Sequence, residues 1–155
     1  MVAVASTAIT LALVFYTIAD FAERHSGTLT PTHLAFFYLG LVCDAAGTAV
    51  MSAIARGDSS NLAHAATGLL AIILMIVHAA WATIVLARKD RETMASFHRF
   101  SAAVWTLWLI PYFFGMLMGI PMIDLPANAA FGAALGAAGS VGLVLYLRGD
   151  SRRTH

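Results

Sequence analysis

The chain has 155 residues, of which 60% are hydrophobic and only 11% charged, with a formal net charge of +1. A soluble domain carries about 25% charged residues, so this chain lacks the polar surface to cover a globule in water, and its small net charge gives no electrostatic reason to bind nucleic acid. Cys43 is the single cysteine, which excludes an intrachain disulfide, a CxxC motif and a Cys₄ metal site.

A membrane helix needs about 20 largely apolar residues. Five segments meet that length, at about 2–22, 33–55, 62–87, 98–120 and 127–147. The fold expected is all-α: an integral membrane helical bundle in a single transmembrane domain, 1–155, with a four-helix core and a softer, Ala- and Gly-rich C-terminal fifth helix. Turn-forming stretches separate the segments: "SGTLTPT", "RGDSSN", "RKDRET" and "GIPMIDLPAN". No basic n-region precedes the first apolar run, so that helix is expected to be retained. With the N-terminus outside and the C-terminus inside, the inner face receives Arg24, Arg88, Lys89, Arg91, Arg99, Arg148, Arg152 and Arg153, and only Arg56 falls outside. That is the distribution the positive-inside rule favours.

Polar groups at membrane depth are the informative residues, because burying them is costly. On the first helix Tyr16 and Asp20 share a face, with Glu23 one turn on and His25 and His33 close by. Asp20 and Glu23 read either as boundary residues pairing with Arg24 or Arg99, or as part of an inner polar cluster with His33 and His98. The second helix carries the stripe His33, Phe37, Gly40, Asp44, Thr48, Met51. A mid-membrane carboxylate such as Asp44 must be protonated, paired or hydrated. On the third helix His64 and His78 lie fourteen residues apart, on one face at about 100° per residue and about 21 Å apart along the axis. Gly68 and Met75 share that stripe. Asp44 and His78 fall at similar depth, so they are expected to pair, for function or as a structural interhelix hydrogen bond. The fourth helix shows His98, Ser101, Trp105, Trp108 and Tyr112 as one stripe, with Pro111 able to free a carbonyl. Its aromatic residues read as core packing or as a cofactor wall. Gly115 and Gly119 on this helix, and Gly132, Gly136 and Ser140 on the fifth, are spaced for close helix packing.

Three chemistries suit these groups. The first is b-type haem for electron transfer, because two histidines at this spacing with a glycine between them resemble the haem-bearing helix of membrane b cytochromes. His78 is the expected ligand, with His64, His98 and His33 as alternatives and Gly68, Trp108 and Tyr112 as further lining. Bis-histidine ligation needs a partner at matching depth. His64 has none and would need Met51 or Met118, so one haem is expected rather than two. The second is a non-redox metal or proton site at Asp44 and His78, aided by Thr48 or Tyr112, although two ligands are few for a metal. Transport through so small a chain calls for a homo-oligomer. The third is an accessory subunit of a larger membrane complex. Nothing points to nucleophilic catalysis, a phosphate loop or nucleotide binding.

Four phrases together resemble the HsmA family of small bacterial polytopic membrane proteins: "ALVFYTIADFAER", "FFYLGLVCDAAGTAVMS", "HAATGLLAIILMIVHAAWA" and "FHRFSAAVWTLWLIPYFFGM". The resemblance covers residues of about 10–118, the first four helices. By matching position it implies importance for Tyr16, Glu23, His33, Asp44, Gly47, Thr48, Met51, His64, Gly68, Met75, His78, Trp81, His98, Trp108, Pro111 and Tyr112. It also implies a bacterial inner membrane, and it leaves the reaction open.

Overall fold

The computed structural model describes residues 1–54, 62–119 and 125–151, with the side chains of 62–64, 91, 92, 95 and 148–151 excepted. It contains five α-helices: α1 (Val2–Ser26), α2 (Pro31–Ile54), α3 (Leu62–Arg88), α4 (Arg91–Gly119) and α5 (Ala127–Ser151). All five are long and apolar enough to cross a bilayer, and no strand occurs among the described residues. The protein is an all-α, multi-pass membrane protein. The expected turn "RGDSSN" and the centre of "GIPMIDLPAN" lie outside the described residues.

Several helices outrun their apolar segments, because local capping sets their ends. α1 continues through the polar Glu23, Arg24 and His25 to Ser26. It stops at Gly27, which takes the left-handed φ of 66° and donates its N–H to the Glu23 carbonyl at 3.0 Å. The α2 start is a reciprocal cap. Thr30 Oγ1 accepts the His33 N–H at 3.3 Å, and His33 Nδ1 accepts the Thr30 N–H at 3.3 Å, with Pro31 in the first helical position. Asp90 opens α4 by accepting the Thr93 N–H at 3.2 Å, so this helix begins at Arg91, well before the apolar stretch. Thr30→Ala should lower stability by about 1 kcal/mol, read from the unfolding midpoint in mixed detergent micelles. An unchanged midpoint would show that this cap is dispensable.

The chain forms two compact units, Met1–Trp105 and Thr106–His155. In the first, α1 and α2 meet through small residues. α1 buries Ala5, Ala12, Tyr16, Ala19, Asp20 and Glu23, and α2 buries Phe37, Gly40, Asp44 and Gly47. A Cβ on Gly47 would lie 2.6 Å from Ile9 Cγ1 and 3.0 Å from the Ala5 carbonyl oxygen. A Cβ on Gly40 would lie 3.2 Å from the Tyr16 ring. Glycine at these two positions lets the backbones approach, which is how helices gain contact in lipid. α3 turns Ala71, Met75, His78, Ala82 and Val85 inward at alternating four- and three-residue spacing. In the second unit Phe114 packs on Ala130 and Ala134, flanked by Phe113, Leu117 and Met118. Phe114 also meets Phe131 edge-on at 5.7 Å. The expected small-residue positions Gly132 and Gly136 of α5 have nothing within 4 Å of an added Cβ among the described residues.

Candidate functional site: a buried polar track in the first unit

The α1 stripe sets the site. Tyr16, Asp20 and Glu23 recur at four- and three-residue spacing, so all three project to one side over about 10 Å of axis. Tyr16, Asp20 and Glu23 are each 0% exposed.

At the first level, the Tyr16 hydroxyl is hydrogen-bonded to His78 Nδ1. His78 is 0% exposed, and its Nε2 meets no hydrogen-bond partner among the described residues. Rings from three helices surround the imidazole. Their centroids lie 5.1 Å away for Tyr16, 4.5 Å for Phe37, 5.4 Å for Phe97 and 5.7 Å for Phe100. Asp44 is buried on α2 and acts electrostatically on Tyr16.

At the second level, Ser101 donates to Asp20 Oδ1 at 2.6 Å, and both residues are buried. Beside it Trp105 Nε1 donates to Thr17 Oγ1 at 3.2 Å. At the third level, where α1 ends and α4 begins, Glu23 Oε1 lies 2.5 Å from His98 Nδ1. The two atoms are at ion-pair distance but off hydrogen-bond alignment. Arg24 acts electrostatically on Asp20, Glu23 and His98.

The expected partners are therefore rearranged. Nδ1 of His78 takes the Tyr16 hydroxyl, where depth alone pointed to Asp44. His98 pairs with Glu23, while its neighbours on α4, Phe97 and Phe100, face His78. His33 is taken up by the α2 cap, its Nδ1 accepting the Thr30 N–H, and His98 is the imidazole that meets Glu23. Thr48 lies beside Gly68, with Cγ2 3.6 Å from where a Cβ would stand. Trp108 and Tyr112 stack at 5.6 Å in the second unit. The side chain of His64 lies outside the described residues.

These placements bear on haem and metal. A b haem on His78 needs flat open space at Nε2 and a second axial ligand across it. Nε2, without a hydrogen-bond partner among the described residues, is a suitable donor, but four aromatic rings pack the imidazole, and the two histidines expected as second ligands sit with other groups, His33 in the α2 cap and His98 beside Glu23. The residues as arranged do not fit a bis-histidine haem. Nor is there, among the described residues, a group of three or more His, Cys, Asp or Glu side chains able to hold a metal ion. What the track does hold is a series of groups that exchange protons: a phenol, two imidazoles and three carboxyls.

Comparison with protein-family models, with curated proteins and with solved structures finds no match.

Proposed function

We propose that this chain handles protons inside the membrane, with Tyr16–His78 as its central site. The observation that carries the reading is the buried Tyr16–His78 hydrogen bond, with the second ring nitrogen left without a partner among the described residues. A phenol bonded to an imidazole admits two proton placements, O–H···N or O···H–N, and the free Nε2 offers the next step of a relay. Three elements lock the geometry through Phe37, Phe97, Phe100 and Tyr16, and Asp44 biases the phenol from α2. Buried ionisable groups within membrane helices usually mark ion or proton pathways.

The basic residues favour an N-terminus outside and a C-terminus inside. The four phrases favour an HsmA-like protein of a bacterial inner membrane. The chain's small size favours a homo-oligomer or a place in a larger membrane complex.

Proteoliposomes carrying a trapped pH dye test the function. Under a valinomycin-driven potassium potential, vesicles with the wild-type chain should acidify or alkalinise several-fold faster than empty ones, and His78→Phe should return the rate to that of empty vesicles. Equal rates for wild type and His78→Phe would defeat the proposal. A second reading, haem, is favoured by one observation, the His78 Nε2 that has no hydrogen-bond partner among the described residues. A reduced-minus-oxidised spectrum with a b-type α band that His78→Phe abolishes would put haem in place of the proton reading.

A further inference from the structure

The lower two levels of the track contain more polar atoms than the described residues satisfy. Asp20 Oδ2, Glu23 Oε2 and Arg24 Nη1 are buried without a hydrogen-bond partner among the described residues, while Glu23 Oε1 and His98 Nδ1 face each other at ion-pair distance. Asp20 and Glu23 are 0% exposed, and an unpaired buried polar atom costs about 1–3 kcal/mol, more when charged. Several such atoms in one cluster are not sustainable unless another molecule bonds them.

The atoms specify what that molecule is. Arg24 Nη1 can only donate. The carboxylate oxygens of Asp20 and Glu23 accept when ionised. A ligand touching both kinds must donate and accept at once, and must be small enough to reach the buried carboxyls of Asp20 and Glu23. A metal cation is repelled by the guanidinium and finds too few ligands. An anion is repelled by the carboxylates. Water meets both demands, and a buried water typically makes about three hydrogen bonds.

We infer that Asp20, Glu23, Arg24, His98 and Ser101 enclose a site for ordered internal water, at the end of the first unit where α1 stops and α4 starts. The water joins the Glu23–His98 pair to Asp20, one turn above. This gives the track its way in: protons reach the phenol–imidazole centre from this end through a hydrated carboxylate cluster. That role rests on the proton reading above, whereas the hydration itself stands on the unpartnered atoms alone.

Water-edited solid-state NMR on the full-length, ¹³C,¹⁵N-labelled protein in lipid bilayers tests it. Magnetisation from water should reach the Asp20 and Glu23 carboxyl carbons and the Arg24 guanidinium several-fold faster than the methyl of Ala19 or the ring of Phe97, both of which are 0% exposed in the same region. Asp20→Leu should slow the transfer to Glu23 and Arg24, and Asp20→Asn, which keeps the shape and a polar group, should preserve it. Carboxyl carbons as dry as Ala19, in a protein whose other resonances show it folded, would overturn the inference. A wet cluster in a protein without proton flux would leave the water site standing and remove the proton reading. Flux with dry carboxyls would do the reverse.

Discussion

Gly47→Leu should destabilise the protein by about 2–3 kcal/mol, the upper part of the range for overpacking a tight contact. The reason is which atoms a side chain would meet. A Cβ at this position already comes within 2.6 Å of Ile9 Cγ1, and behind that lie the Ala5 carbonyl oxygen at 3.0 Å and the Ile9 nitrogen at 3.2 Å. The Ile9 side chain can rotate away, but the two backbone atoms move only if α1 shifts as a whole. Such a shift would carry Tyr16 off His78, so proton flux should fall together with stability. Even alanine should destabilise here, although it would gain about 1 kcal/mol of helix propensity over glycine. Gly132→Ala is the control, since nothing among the described residues lies within 4 Å of its added methyl. It should leave stability unchanged or raise it slightly. Reversible unfolding by SDS in mixed micelles measures all three. Equal midpoints for Gly47→Leu and wild type would mean that α1 and α2 are not held at the distance described.

The five helices and the shared face of Tyr16, Asp20 and Glu23 were legible in the sequence, because apolar run length and 100° rotation per residue are local properties. The pairing of the site was not. Asp44 and His78 were matched by depth, but depth along two axes says nothing about which way each helix is rotated about its own. Tyr16 shares the Asp20 face, but nothing local says which residue its hydroxyl meets, and the packing of α1 on α2 through Gly40 and Gly47 sets the ring where it bonds His78. Phe37, Phe97 and Phe100 carried no signal, since an aromatic ring in an apolar run looks like any other core residue. These rings crowd the flat space that a macrocycle on His78 would need. His33 does carry a signal in the sequence. "TPTH" places a threonine cap three residues before an imidazole, with proline between them at the first helical position, a capping-box pattern in which His33 takes the role of the usual Glu. The helix ends were misplaced for a related reason. Apolar length marks where the bilayer would fall, whereas Gly27 and Asp90 mark where the helices stop and start.

A double-mutant cycle at Tyr16 and His78 separates the structural value of this pair from its functional one. Tyr16→Phe leaves His78 Nδ1 buried beside an aromatic edge with no hydroxyl to bond, which should cost about 1–2 kcal/mol. His78→Phe removes the imidazole that the Tyr16 hydroxyl is bonded to and places a bulkier ring among Phe37, Phe97 and Phe100, at a similar cost. The double variant replaces both partners by apolar rings in an already aromatic box. Substituting both ends of a buried hydrogen bond can be nearly neutral, so it should recover part of the loss, with a coupling energy of about 1 kcal/mol. Interhelix hydrogen bonds in membranes average somewhat less than that, about 0.6 kcal/mol. Flux should not recover, because a phenyl pair has no proton to pass. If the pair were a structural tie alone, the double variant would regain conduction along with stability. If the singles were simply additive and all three variants conducted, Tyr16 and His78 would be neither coupled nor on the path. Recovered stability with lost flux is the outcome that only a proton-carrying pair produces.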